Sequence, residues 1–254
     1  MSTNQPYVPY MGNKFKIVNN IYDVLRQNFH FRNVVSLFCG GGSLEYFLAQ
    51  RGFNVLANDL DRGLIELHNH LIHGGAIPED FITREMFMEM RELQNWLGAY
   101  VRQVWSFSNN QSSYLYSKER VKGPEELLVE HKLRKKHLED IRKLKDDNLS
   151  LHFISNDYRD VDLSNFRPDD TIIYCDPPYK GTRGYNVGEF DNEAFYKWAL
   201  ANEFTVVISE YDMPPEFNCI AQFPKVQASA GAKHQKVILE GLYTNKPVKI
   251  GLGI

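Results

Sequence analysis

Short apolar runs that each end in a polar or glycine turn recur along this chain and alternate with helical stretches, and that alternation limits the folds open to it more than any other feature. Val34-Val35-Ser36-Leu37-Phe38 runs into glycines and reads as a buried strand. Ser43 to Gln50 follows with a helical pattern. Asn54 to Ala57 reads as a second strand, ending at Asn58 and Asp59. Leu60 to Ile72 reads as a helix with Leu60, Leu64, Leu67 and Leu71 on one face. Leu151 to Ser155, Thr171 to Cys175 and Thr205 to Ser209 are further strand candidates, and Lys236 to Thr244, with Val237, Leu239 and Leu242, reads as a late strand. Strands alternating with helices predict an α/β fold built on a mostly parallel, doubly wound sheet.

The alternation breaks once, over residues 74–148. There Phe87, Met90, Leu93 and Leu97 recur at helical spacing, and a polar, basic stretch follows. The simplest organisation is one domain made of residues 1–73 and 149–254, with residues 74–148 inserted between its second and third strands. At 254 residues and 43% hydrophobic content the chain can bury a full core. It has no apolar run near the roughly 20 residues of a membrane helix. The opening MSTNQPYVPY lacks the pattern of a secretory leader. Cys39, Cys175 and Cys219 stand far apart, which predicts neither a disulfide framework nor a zinc site and fits a reducing cytoplasm. The net charge of -3 argues against a wholly basic surface and leaves room for a local basic patch.

Three features carry chemistry. Phe38-Cys39-Gly40-Gly41-Gly42-Ser43 lies between a strand and a helix, where glycine lets the backbone turn tightly and approach a ligand. The plain alternative is a glycine turn with no ligand. A dinucleotide fingerprint is not met, because no third glycine follows at the required spacing. Asp59, about twenty residues further on, is placed to accept hydrogen bonds from two ribose hydroxyls. Alone it reads more simply as a helix cap, and the glycine turn before it shifts the balance to the ribose. The third feature decides between these readings. Asp176-Pro177-Pro178-Tyr179 ends an apolar strand with a carboxylate, free carbonyls and a flat ring. Two acceptors beside a stacking surface suit an exocyclic amine on a planar base.

With these residues in place the chain resembles the Dam-like, class alpha DNA adenine N6-methyltransferases of bacteria and phages. The matching segments are Tyr10-Met11-Gly12-Asn13-Lys14, the glycine turn, Asn58-Asp59, Asn156-Asp157-Tyr158 and Asp176-Pro177-Pro178-Tyr179. They cover roughly the first 70 residues and most of the last 100, in the family's order. The resemblance implies a Rossmann-like methyltransferase sheet with one antiparallel late strand and an inserted, mainly helical DNA-recognition domain. It implies S-adenosylmethionine as cofactor, S-adenosylhomocysteine as product, and no metal. Tyr10, Lys14, Phe38, Gly40, Gly42, Asp59, Asp157, Tyr158 and Asp176 are then expected at the cofactor. Asp176, Pro177, Pro178 and Tyr179 are expected at a flipped adenine. The expected partner is double-stranded DNA, with no membrane and with a restriction endonuclease left open. A monomer in the bacterial cytoplasm, associated with the nucleoid, is the expected state. Acceptors other than DNA adenine stay open, namely cytosine N4 or an RNA adenine. So does a catalytically silent DNA-binding protein.

The insertion is the expected DNA reader. Lys118 to Lys145 carries more bases than acids, with Lys118, Arg120 and Lys122 at its start, a pattern that binds phosphate. A solvated helix face is the alternative for its later lysines. Just before it, Trp105 to Tyr116 mixes aromatics with amides. Asn109 and Asn110 suit adenine edges, and Tyr114 suits insertion into the stack. The segment 180–190, rich in glycine, is expected to close over the base. Ile208-Ser209-Glu210 departs from the Ser-Asn that many family members carry.

Overall fold

The computed structural model describes residues 7–116, 134–179, 190–227 and 236–248. Seven strands form one sheet: β1 (Asn33–Ser36), β2 (Asn54–Asn58), β3 (Leu151–Ile154), β4 (Thr171–Cys175), β5 (Thr205–Glu210), β6 (Asn218–Gln227) and β7 (Lys236–Thr244). Their order is β3-β2-β1-β4-β5-β7-β6. The first five are parallel, and β7 runs antiparallel to both β5 and β6. The doubly wound sheet with a reversed late strand is therefore present. β6 was not anticipated. Its residues NCIAQFPKVQ alternate poorly, and it exists as the outer partner of β7.

Side chains alternate across the central strands, as a period of two requires. Val34, Val55, Ile172, Tyr174 and Val207 join one apolar core, while Val35, Ile173, Cys175, Val206 and Ile208 join a second on the other face. The first core is covered by α1 (Val18–Asn28), α2 (Ser43–Ala49) and α3 (Arg62–Ile72). The second receives Phe195 and Ala199 of α7 (Asn192–Ala201). Burial on both faces explains why these strands read as continuous apolar runs.

The region between α3 and β3 contains α4 (Arg84–Met90), α5 (Trp96–Val104) and helical residues 134–142, called α6. Ile77, Phe87, Tyr100, Trp105, Leu138 and Ile141 belong to the same core as the sheet, so the insertion is packed onto the sheet's helical layer. The apolar spacing from Phe87 to Leu97 does not form one helix. Asn95 breaks it by capping α5, its Oδ1 accepting from the N–H groups of Leu97 and Gly98 at 3.1 Å, and Leu93 is left 39% exposed. Leu60 likewise lies outside α3 and is 50% exposed, because Asp61 caps that helix through Leu64 N at 3.0 Å. Among the described residues no helix is long and apolar enough to cross a membrane.

One side chain ties the late strand to the parallel half. Asn245 accepts from Val206 N at 2.9 Å and donates to the carbonyls of Ala199, Phe204 and Asn202 at 2.9, 3.1 and 3.2 Å. It fastens the end of β7 to the α7–β5 turn. Asn245→Ala strands these backbone groups and is expected to cost about 1–3 kcal/mol. Urea denaturation followed by far-ultraviolet circular dichroism measures that loss.

Candidate active site

The sheet order places β1 beside β4, and the chain leaves these two strands toward opposite edges. The carboxyl ends of such a pair flank a crevice, the usual ligand site of an open α/β sheet. The glycine turn follows β1, and Asp176-Pro177-Pro178-Tyr179 follows β4. Parallel pairing therefore brings together two motifs more than 130 residues apart in sequence.

The glycine turn is packed from both sides. Gly42, the N-cap of α2, has φ 73°, and a Cβ there would lie 2.9 Å from both His68 and Tyr46. Only glycine combines that conformation with that closeness. Gly40 has φ 47°, and its missing side chain makes room for the Tyr10 ring at 3.0 Å. His68 closes the turn from below, with Nε2 at 2.8 Å from the Gly40 carbonyl and Nδ1 at 2.8 Å from the Tyr46 hydroxyl. A carbonyl only accepts, so Nε2 carries the proton and Nδ1 accepts from Tyr46. Burial holds His68 neutral and pulls its pKa down to about 4.

Asp59, at the end of β2, accepts from Gly40 N at 2.9 Å and Asp61 N at 3.0 Å. Burial raises its carboxyl to about 6, which two backbone donors only partly offset. It does not cap α3, a role taken by Asp61. Asn13 lies against the same turn. Its Oδ1 takes Phe15 N at 2.6 Å and the Ser43 hydroxyl at 2.8 Å, while its buried Nδ2 has no partner among the described residues. Glu45, in the first turn of α2, is buried and receives the Ser36 hydroxyl at 2.5 Å; burial raises it to about 7.

Aromatic residues gather at the far side of the crevice. Phe38 and Tyr158 have ring centroids 5.7 Å apart, and Tyr158 lies 5.3 Å from Trp198. Asp157 is held by Arg159 at 2.7 Å, and this pairing lowers its pKa.

The tetrapeptide is joined to Lys14 through a buried ionic cluster. The Lys14 ammonium lies 2.8 and 2.7 Å from the Asp176 carboxylate oxygens, 2.7 Å from the Tyr179 hydroxyl and 3.1 Å from Glu240 Oε1. Tyr179 donates its own hydroxyl hydrogen bond to Glu240 at 2.9 Å, and Ser209 donates to the same oxygen at 2.8 Å. Burial alone would lower the Lys14 pKa, but Asp176 and Glu240 outweigh it and hold the group above the ordinary lysine value. Burial raises Asp176, and Lys14 restores only part of the shift. Lys14, expected at the cofactor, is thus engaged with the Asp176-Pro177-Pro178-Tyr179 turn. Tyr179 is anchored by its hydroxyl and abuts Tyr211 edge-on at 4.6 Å, so its role is not that of a ring alone.

Glu240, Ser209, His68, Asn13 and Glu45 were missed from sequence. Glu240 left a signal: it is a lone acid inside the apolar strand Val237-Ile238-Leu239-Glu240-Gly241-Leu242. Glu210 takes Tyr211 N at 2.8 Å rather than facing this cluster through a Ser-Asn pair.

The residues assigned to DNA divide. Lys118, Arg120 and Lys122 lie outside the described residues, as does most of the glycine-rich segment, residues 180–189. Asn110 braces its own loop, accepting from Ser112 N and Ser113 N at 3.0 and 2.9 Å. Tyr114 is no free wedge: its hydroxyl reaches the Ile82 carbonyl at 2.6 Å and its ring packs on Phe87. Asn109 has φ 56°, as unusual as the 50° of Ser108, and its Oδ1 lacks a partner. Phe107, at the start of this loop, is 58% exposed. Arg134 and Lys135 donate to main-chain carbonyls of the insertion, at Ser106 and Pro78, rather than standing as free phosphate contacts.

A sheet of this order, with an Asp-Pro-Pro-Tyr turn at its switch point, defines a methyltransferase of the Rossmann-like type. Residues 10–209 match the model of the D12 class N6 adenine-specific DNA methyltransferases, and the chain belongs to that family of adenine-specific enzymes. Among solved structures it is similar to a methylase candidate from Haemophilus influenzae at 13% identity, covering 94% of this chain and 91% of that one with a TM-score of 0.38. Curated proteins give no match.

The neutral His68 makes stability depend on acid. Its pKa of about 4 in the fold lies below the ordinary 6.5, so its contribution is complete above pH 6.5 and is lost as pH falls toward 4. The full loss is about 3 kcal/mol. Urea midpoints at pH 7 and pH 5 should differ more for the natural chain than for His68→Gln. Equal differences would remove His68 as the titrating group.

Proposed function

We propose that this enzyme transfers a methyl group from S-adenosylmethionine to the exocyclic amine of an adenine flipped out of double-stranded DNA. The observation that carries the reading is the switch point itself. A glycine turn with Asp59 lies on one side of it and a partly buried Asp176-Pro177-Pro178-Tyr179 turn on the other.

The residues fit the cofactor. Asp59 supplies a carboxylate for two ribose hydroxyls, and Gly40 and Gly42 let the backbone approach the methionine part. The unpartnered Nδ2 of Asn13 is a donor suited to that part's carboxylate. Tyr10, Phe38, Asp157 and Tyr158 complete the adenosine side. When bound, S-adenosylmethionine supplies a methyl group already activated on a sulfonium centre.

The chain's own task is to present the amine. An adenine amine is a weak nucleophile because its lone pair is delocalised into the ring. Hydrogen bonds from its two N–H groups to Asp176 and the Pro177 carbonyl localise that pair. Fixed in line with the methyl group, the nitrogen gains most from orientation. Its proton leaves after transfer, so no strong base is needed first. Tyr179 and Pro178 line the base, and extrusion from the duplex costs a few kcal/mol.

Residues 74–148 form the target-recognition region of this reading, and Phe107 is, among its described residues, the most exposed large apolar side chain and suits a wedge. The chain works on DNA in the cytoplasm.

Mass spectrometry of nucleosides tests the activity, using DNA from a host without its own adenine methylation that expresses the chain. N6-methyladenine is expected from the natural chain and none from Asp176→Ala. N4-methylcytosine in its place would overturn the choice of base.

Asp59 adds a pH dependence. Its carboxyl, raised to about 6, accepts two hydroxyls only when ionised, so cofactor affinity should fall as pH drops through that value. Calorimetric titration between pH 5 and pH 8 checks this, and Asp59→Asn should bind weakly with little pH dependence across that range.

A further inference from the structure

An ammonium has three protons to donate. That of Lys14 faces both Asp176 oxygens, the Tyr179 hydroxyl, Glu240 Oε1 and the Gly12 carbonyl at 3.3 Å, more acceptors than it can serve at once. The two carboxylates differ in position. Asp176, 21% exposed, ends β4 at the crevice, whereas Glu240, 2% exposed, lies inside β7. Lys14 therefore sits between a crevice-side anion and a core-side anion. An incoming amine needs an oxygen of Asp176, and Lys14 holds both. Drawing a 6% exposed ammonium away from its counterion, with nothing to receive it, leaves a buried charge uncompensated.

We propose, resting on the adenine-methylation reading, that Glu240 is a positioning residue that receives Lys14 when the target amine claims Asp176. The ammonium changes partner and stays protonated, and no covalent bond is made or broken in the exchange. Ser209 holds the receiving oxygen at 2.8 Å, and the Tyr179 hydroxyl stays bound to it at 2.9 Å. The register of β7 fixes the acid in place, with Glu240 opposite Phe223 and Gly241 opposite Glu210.

The test is single-turnover transfer of a labelled methyl group to unmethylated plasmid DNA at saturating S-adenosylmethionine. Glu240→Gln keeps the shape and an acceptor for Ser209 while removing the charge. Its rate is expected to fall roughly 10- to 100-fold. Cofactor affinity should stay within about threefold and the melting temperature near that of the natural chain, because the cofactor contacts are untouched. Glu240→Asp retains the anion and should recover most of the rate.

A Glu240→Gln rate within about threefold of the natural chain overturns the proposal. So does a Glu240→Asp enzyme as slow as Glu240→Gln, or a rate loss matched by lost cofactor affinity. A Glu240→Gln chain that does not fold assigns the residue to stability instead. If the natural chain methylates no adenine, the reading beneath the proposal fails, and that result is separate from any effect of Glu240.

Discussion

The ammonium of Lys14 is the contact on which the site depends. It joins three stretches of chain: the segment before α1, the end of β4, and β7. Two buried carboxylates and one buried ammonium are costly to remove from water, and the cost is met because every charge has a partner within about 3 Å. The same segment also reaches the glycine turn. Val8 N binds the Gly41 carbonyl at 2.8 Å, and the Tyr10 ring lies on Gly40. One short stretch, residues 8–14, thus touches both the glycine turn and the tetrapeptide.

Burial sets the chemical character of the crevice as firmly as the pairings do. Asp59, Glu45 and Asp176 are all raised, each mainly because water is excluded. Such carboxylates are poorly satisfied as anions and gain when donors arrive. Asp59 has backbone donors already, yet burial still outweighs them.

Much of this was legible in the sequence. The parallel strands announced themselves because both faces are buried, leaving unbroken apolar runs such as Ile172-Ile173-Tyr174-Cys175. The glycine turn and Asp-Pro-Pro-Tyr were readable because their backbone demands exclude most residues. What escaped depends on tertiary pairing. Leu60 looked like a helix face until Asp61 capped the helix after it. The Phe87 to Leu97 pattern hid a break that only the Asn95 cap enforces. Glu240 pairs with Lys14 across 226 positions, and no local pattern encodes such a distance.

The mounting of Glu240 has a consequence for how such an enzyme diversifies. Asp176 and Glu240 belong to neighbouring parts of one hydrogen-bonded sheet, and side chains on a strand change face with every single-residue shift. The chemistry is therefore inherited with the ladder of backbone hydrogen bonds. Phe107, Asn109 and Asn110 sit on a loop of the insertion, outside that ladder. Insertions and deletions in that loop can accumulate while the ladder stays intact. A shift of β7 by one residue would instead turn Glu240 to the opposite face of the sheet, away from Lys14.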